Sequence, residues 1–152
     1  MGQKKKYSKE LLHPVLNMGK YFEEVEAGSV SAYRTKVLKE RFANVKKIAF
    51  SMYRDAYELI QKIDGESMQD PEFLWKHDLQ SIKIFCESED SYGDYSKKNL
   101  HPIRHFEEYL EEVNAGNITP ERLKTLKKRL AVVLRLAVRL YYDAERLIRK
   151  LD

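Results

Sequence analysis

Histidine and carboxylate residues are the first candidates for chemistry in this sequence. His101 and His105 are four residues apart, the spacing at which a helix presents two side chains to one metal ion, and Glu108 follows on the same short segment. The related stretch near the start of the chain carries His13 but has Asn17 in place of His105. Because the set of potential ligands is incomplete, we predict no metal site and interpret His13 and His101, each followed by proline, as helix caps.

The sequence lacks the short motifs that accompany catalysis or cofactor binding. It has no glycine-rich phosphate loop, no CxxC or HExxH motif and no nucleophile elbow. Its only cysteine, Cys86, excludes an internal disulfide, fits a reducing compartment and is interpreted as a small buried residue. We therefore predict a protein that is not an enzyme and has no cofactor.

Two long stretches of the chain share one sequence pattern. The phrase YSKELLHP, beginning at Tyr7, returns as YSKKNLHP at Tyr95, and a shift of 88 positions aligns residues 7–64 with residues 95–152 without a gap. Twenty-seven of the 58 aligned pairs are identical. This agreement indicates an internal duplication, and two such copies are expected to pack about a pseudo-two-fold axis, as an isologous dimer would.

Each copy is predicted to form a helical hairpin with arms of unequal length. A short helix runs from about residue 14 to residue 27 and ends at Gly28, which can adopt the left-handed conformation that ends helices. Ser31 or Thr119 caps a second helix that continues for about 30 residues, roughly 45 Å. Because the short helix covers only half of the long one, the rest of its apolar stripe must be buried by the other copy, the connector or another chain.

The connector between the copies, residues 65–94, differs from both in charge. It holds two basic and eight acidic residues, a net charge of −6. Pro71 is expected to begin a fifth, amphipathic helix. Its apolar face is predicted to consist of Phe73, Leu74, Leu79, Ile82 and Phe85. The predicted fold is thus a single all-α domain over residues 1–152: a pseudo-two-fold four-helix bundle of duplicated hairpins with an extra connector helix.

Four arginines kept in both copies lie on or near the apolar faces of the long helices. They are Arg34, Arg41, Arg122 and Arg129. An unpaired charge in that position would be costly, so each arginine needs an acidic partner. The candidates are the carboxylates kept in both copies: Glu24, Glu112, Asp55 and Asp143. Structural salt bridges across the hairpin are favoured over the alternative, a pair of symmetric catalytic sites.

One face of the second long helix carries cations almost exclusively. With residues placed at 100° intervals, six cations fall within about 80° of one another, and Tyr142 lies in the same sector. They are Lys124, Lys128, Arg135, Arg139, Arg146 and Arg149. The equivalent positions of the first copy are mixed in character: Lys36, Glu40, Lys47, Ser51, Glu58 and Gln61. The basic face therefore belongs to the second copy alone.

A line of cations of this kind suits a nucleic-acid backbone, because successive Lys and Arg side chains can neutralise successive phosphates. We therefore predict sequence-nonspecific binding of RNA or DNA along this face, with Tyr142 available for stacking and Lys4, Lys5 and Lys6 as a flexible basic arm. A solvated face, an internally paired face and a docking site for an acidic protein stay open as alternatives. The acidic connector could also mask the face.

The turns SVSAYR and NITPERLK place a capping residue before each long helix of a small, basic, helical chain. In this architecture the chain resembles the small helical subunits that line nucleic acid in CRISPR effector complexes, although the two share no diagnostic motif. The resemblance implies a small subunit of a ribonucleoprotein complex that contacts nucleic acid through its helices.

A second hypothesis is a helical scaffold or assembly subunit that binds other proteins or its own copies. The long helices carry more apolar residues than one core face needs. The residues that would form this contact are Phe50, Leu134 and Val138. The sequence has no run of about 20 apolar residues and no signal peptide, so we expect a cytoplasmic protein without a membrane partner.

Overall fold

The computed structural model describes residues 5–65, 70–86 and 92–152, apart from the side chains of Phe85 and Cys86. Within these ranges the chain forms seven α-helices and no strand, which confirms the all-α class. Lys4 and the side chains of Phe85 and Cys86 lie outside the described residues, so the predictions made for them stay predictions. The helices are α1 (Lys9–Leu16), α2 (Met18–Ala27), α3 (Ala32–Asp64), α4 (Pro71–Cys86), α5 (Lys97–Arg104), α6 (Phe106–Ala115) and α7 (Pro120–Leu151).

The predicted short helix of each copy is in fact two helices joined by a bend. Ser8 caps α1 through a hydrogen bond from the Leu11 amide to its hydroxyl, so the helix begins before Pro14 and His13 is not its cap. Pro14 lies inside α1, where it has no amide hydrogen to donate, and the helix ends soon after it, at Leu16. The histidine-cap interpretation was therefore wrong. Ser96, His101 and Pro102 repeat the arrangement in α5.

The two long helices, α3 and α7, form an antiparallel pair. They contain 33 and 32 residues, and the start of each is joined to the end of the other by the ion pairs Lys39–Asp152 and Lys127–Asp64. Their N-caps are Ser31 and Thr119, as the sequence predicts. The side chains that face each other along the pair are fully buried, among them Leu38, Phe42, Val45, Met52, Leu126, Leu130, Val133 and Leu140.

The four short helices cover one side of the α3–α7 pair. Tyr7, just before α1, reaches Ser51 and Asp55 of α3 with its hydroxyl, at 2.8 and 2.5 Å. Each copy's first short helix packs on its own long helix, whereas α2 also contacts α7 and α6 also contacts α3. The Lys150–Glu26 ion pair (2.5 Å) joins α7 to α2 in this way. The copies are thus interlocked rather than placed side by side.

The connector helix α4 begins at Pro71, as predicted, and covers another side of the long pair. Trp75, only 6% exposed, packs edge-on against the rings of Phe50, Tyr53 and Tyr141 at centroid distances of 5.1–5.3 Å. Phe73, predicted to be in the apolar face, is instead 68% exposed, because it lies about 200° around the helix from Trp75. Leu74, Leu79 and Ile82 are partly buried on the side of Trp75.

The packing of α4 predicts a sharp difference between its two large aromatic residues. Trp75→Ala should lower the free energy of unfolding by about 3–5 kcal/mol, because it empties the space between three rings. Phe73→Ala removes an exposed ring and should change stability by no more than about 0.5 kcal/mol. Urea denaturation followed by far-ultraviolet circular dichroism measures both, since Trp75 is the only tryptophan and its fluorescence is lost in the variant. Equal costs would show that Trp75 does not hold α4 in place.

Candidate nucleic-acid interface

Most cations of α7 that point toward the rest of the bundle have a partner. Arg122 makes a bidentate pair with Glu112, at 2.8 and 3.0 Å, and Arg129 donates to the Tyr109 hydroxyl at 3.2 Å. The ammonium groups near the two ends of the helix form ion pairs with acidic residues of other elements: Lys127 with Asp64 and Lys150 with Glu26. These cations hold α7 in the fold.

Two members of the predicted basic face, Arg139 and Arg146, form ion pairs inside the molecule. Arg139 Nε lies 3.3 Å from Asp143 Oδ2, and Arg146 Nη1 lies 3.5 Å from Asp143 Oδ1. Asp143 is fully buried, and it also accepts hydrogen bonds from the Tyr95 hydroxyl (2.5 Å) and the Gly93 amide (2.8 Å). The two arginine side chains are only 16% and 14% exposed. They neutralise a buried carboxylate, and without them the burial of that charge would destabilise the fold.

Tyr142 does not reach the surface that the sequence predicts for it. Its side chain is buried, and the Arg146 guanidinium lies 5.2 Å from its ring centroid. Arg146 also lies over the ring of Tyr92, at 4.6 Å, and Tyr92 stacks on Phe22 of α2. Residues 92–94, in the segment that precedes α5, therefore cover this part of α7, and the predicted stacking of a base on Tyr142 is not possible in this arrangement.

The remaining cations of the predicted face form what we call the outer basic face: Lys124, Lys128, Arg135 and Arg149. All four are exposed, and no acidic side chain within the described ranges lies within 4 Å of their charged atoms. Lys124, Lys128 and Arg135 span about 16 Å along α7, and Arg149 lies about 21 Å farther on. The structure thus divides the six predicted cations into four that are open to a ligand and two that are used internally.

Lys6, one of the basic residues at the start of the chain, contacts α3 rather than α7. Lys6 Nζ is 2.7 Å from Asp55 Oδ2, so this lysine neutralises the carboxylate that Tyr7 also contacts. Arg54 contributes a longer contact to Asp55, at 3.9 Å. Lys5 is exposed. Lys6, predicted to belong to a flexible arm, therefore stabilises the fold through its contact with α3.

The arginines kept in both copies contact two kinds of side chain, carboxylates and tyrosine hydroxyls. Arg34 forms a bidentate pair with Glu24, at 2.6 and 3.0 Å, and lowers the pKa of that carboxyl, which confirms the salt bridge predicted across the hairpin. Arg122 and Glu112 make the same pair in the second copy. Arg41, however, donates to the Tyr21 hydroxyl at 3.0 Å, as Arg129 does to Tyr109. The prediction of a carboxylate partner was wrong for these two, because a tyrosine of the short helix stands closer.

The buried tyrosine hydroxyls are held in their protonated form. Burial, together with the neighbouring Asp55, raises the pKa of Tyr7 above its ordinary value. Burial and Asp143 have the same effect on the pKa of Tyr95. A protonated hydroxyl can donate to the carboxylate beside it, and this is the contact that both residues make. These pairs are explained by packing and hydrogen bonding.

His101 and His105 form a pair at the bend between α5 and α6. The rings of His101 and His105 are 4.4 Å apart, and His105 Nδ1 lies 3.2 Å from Glu108 Oε2. Across the part of the chain that the structure describes, no three His, Cys, Asp or Glu side chains are grouped so that they could hold a metal ion.

Two clefts flank the outer basic face, and neither was predicted from the sequence. The first, of about 880 Å³, lies between α4 and α7; Lys128, Arg135 and Asp78 line it together with five apolar side chains. These are Ile82, Ala131, Val132, Leu134 and Val138. The second, of about 500 Å³, lies between α7 and the segment before α5. Periodicity locates residues around one helix, but the clefts depend on where α4 and that segment lie.

The apolar residues proposed for protein assembly are partly covered by α4. Phe50 packs against Trp75, and Val138 is buried. Leu134 is only partly buried and forms a wall of the first cleft. An assembly role stays a prediction, with Phe50 and Leu134 as the two residues that are only partly buried.

Comparison of the chain with protein-family models, with curated proteins and with solved structures finds no match. Among the described residues, no helix has the length and apolar character needed to cross a membrane. What the chain does is therefore inferred from its own residues.

The division of the basic face predicts opposite outcomes for chemically identical substitutions. Arg139→Gln and Arg146→Gln should each lower the free energy of unfolding by about 1–3 kcal/mol, because each weakens the neutralisation of buried Asp143. Arg135→Gln, on the same helix, should change stability by no more than about 0.5 kcal/mol. Urea denaturation of the three variants measures these differences. A cost at Arg135 equal to that at Arg139 would contradict the division.

Proposed function

We propose that the chain is a non-enzymatic, α-helical nucleic-acid-binding protein, acting alone or as a small subunit of a ribonucleoprotein complex, and that it binds through the outer basic face. One observation carries the proposal. Six of the ten cations of α7 contact an acidic or tyrosine side chain, whereas the other four lie exposed on one face without an acidic partner in the described ranges. Phosphates are ligands that such a face would neutralise.

The fold itself does not require this concentration of positive charge. Lys124 and Lys128 are four residues apart, and a like-charged pair at that spacing destabilises a helix by about 0.2–0.5 kcal/mol. In α3 the matching positions carry opposite signs, Lys36 and Glu40. A helix of nearly the same length in the same bundle thus folds with a mixed face, which supports a role for the single-sign face outside folding. Because no base-reading motif is present, binding is proposed to be independent of sequence.

We also propose that the two copies arose by internal duplication and are related by a pseudo-two-fold axis within a single domain. Contacts repeated 88 positions apart support this: Tyr7–Asp55 with Tyr95–Asp143, and Arg34–Glu24 with Arg122–Glu112. Function would then lie where the copies differ, in the surface charge of α7. A cytoplasmic location, in which Cys86 stays reduced, belongs to the same proposal.

A pair of double variants at matched positions tests the proposal. Lys124→Glu with Arg135→Glu changes the outer basic face, and Lys36→Glu with Lys47→Glu changes the corresponding positions of α3, 88 residues earlier. Each double variant lowers the net charge by the same amount. We expect the α7 variant to bind a labelled RNA or DNA oligonucleotide at least tenfold more weakly than the parent, and the α3 variant to lose less than about threefold.

Fluorescence anisotropy at several salt concentrations supplies the measurement. For four phosphate contacts, the logarithm of the parent's association constant should fall with the logarithm of the salt concentration with a slope of about −3, and the α7 variant should lose about half of that slope. Equal losses in both double variants would mean that only net charge matters. A parent that binds no oligonucleotide at low salt would refute the proposed function.

A further inference from the structure

The apolar cleft between α4 and α7 and the outer basic face share residues. Lys128 and Arg135 belong to the basic face and also line the cleft, whose walls are the apolar side chains of Ile82, Val132 and Leu134. Among the described residues that line the cleft, the one carboxylate is that of Asp78, which accepts a hydrogen bond from the Tyr53 hydroxyl at 2.5 Å. The cleft therefore offers an apolar surface bordered by two cations and by one carboxylate that Tyr53 holds in place.

The second cleft lies on the other side of Arg135. Val132 and Arg135 line both clefts, and the second also includes the more polar residues Asn99 and Asp94. On α7, positions 134 and 136 lie about 100° to either side of Arg135, and they line the first and the second cleft respectively. Arg135 thus stands on a ridge with a recess on each side, and Lys128 borders the first recess.

Resting on the proposed function, we propose that the ligand is single-stranded nucleic acid, with phosphates on Lys128 and Arg135 and a base in the apolar cleft between α4 and α7. A base has a large, weakly polar face, and its transfer from water into an apolar cleft lowers the free energy. In a duplex that face is already stacked, and a duplex would meet this ridge with its phosphates alone. A single strand can turn a base out of the stack while its backbone follows the cations.

A second copy of the chain fits the same cleft less well. In a symmetric contact centred on this surface, the Lys128 and Arg135 side chains of both molecules would be brought close together, and like charges across an interface oppose association. An anionic polymer with apolar side groups satisfies both the charge and the apolar wall. Charge complementarity therefore favours the nucleic acid.

The experiment compares three proteins with two probes. The proteins are the parent, Leu134→Gln, which makes the cleft wall polar without a change in charge, and Leu123→Gln, the same change on α7 outside both clefts. The probes are a 12-nucleotide single strand of oligouridylate and a 12-base-pair RNA duplex. We expect the parent to bind the single strand at least tenfold more tightly than the duplex. Leu134→Gln should weaken binding of the single strand about tenfold and leave binding of the duplex unchanged, and Leu123→Gln should bind both probes as the parent does.

A second variant tests the cleft independently in case Leu134→Gln does not fold. Val132→Thr keeps the shape of the side chain and introduces a hydroxyl into the cleft wall, and it should weaken single-strand binding in the same direction. Cross-linking supplies an independent position: 4-thiouridine within the strand should attach to residues of α4 or to residues 128–138 of α7. Attachment confined to other helices would overturn the assignment of the cleft.

The possible failures are distinguishable. Equal binding of strand and duplex by the parent, with no effect of Leu134→Gln, would overturn the single-strand inference and leave nucleic-acid binding in place. Absence of binding to both probes at low salt would overturn the proposed function together with this inference. Self-association of the parent in light scattering that Leu134→Gln abolishes would assign the cleft to a second copy of the chain and overturn the inference.

Discussion

Two helices of more than thirty residues, packed antiparallel along their length, set the requirements that every other element meets. The short helices cover one side of the pair, and another side, with Phe50, Tyr53 and Tyr141, needs a separate cover. Trp75 of α4 supplies it by contacting all three rings. Tyr53 lies on α3 and Tyr141 on α7, so α4 packs against both long helices. Through Trp75, α4 is thus a part of the core.

Burial of a carboxylate on each long helix determines which cations are available for anything else. Asp55 is neutralised by Lys6 and Arg54, which lie outside any continuous basic face. Asp143 is neutralised by Arg139 and Arg146, which lie within one. The same physical need is therefore met by different residues in the two copies. As a result, a face that has six cations in the sequence presents four of them to a ligand.

Much of the local structure could be predicted, because short-range signals decide it. Ser31 and Thr119 cap the long helices, Gly28 ends α2 in the left-handed conformation, and Pro71 begins α4, all as their residue types predict. The bend after Pro14 is also a local effect, but the cap Ser8 was overlooked in favour of His13. The salt bridge of Arg34 followed from the cost of an unpaired charge near the core.

The candidate site was harder to predict, since periodicity gives the angle of a residue around its own helix but not what covers that angle. Residues 92–94 place Tyr92 against Arg146, and these residues lie outside the repeat. Similarly, Phe73 and Trp75 are both aromatic residues of α4, and only the position of the long helices decides which one is buried. The clefts beside Lys128 and Arg135 depend on the same long-range packing.

We propose that the charge of α7, rather than that of the whole chain, makes the contact with nucleic acid. Amide chemical-shift mapping during titration with an oligonucleotide, at low and then high salt, tests this proposal. We expect the largest shifts at residues 124–138 of α7, small shifts at the matching residues 36–50 of α3, and loss of both at high salt. Shifts of equal size on the two helices, or none on α7, would contradict the account.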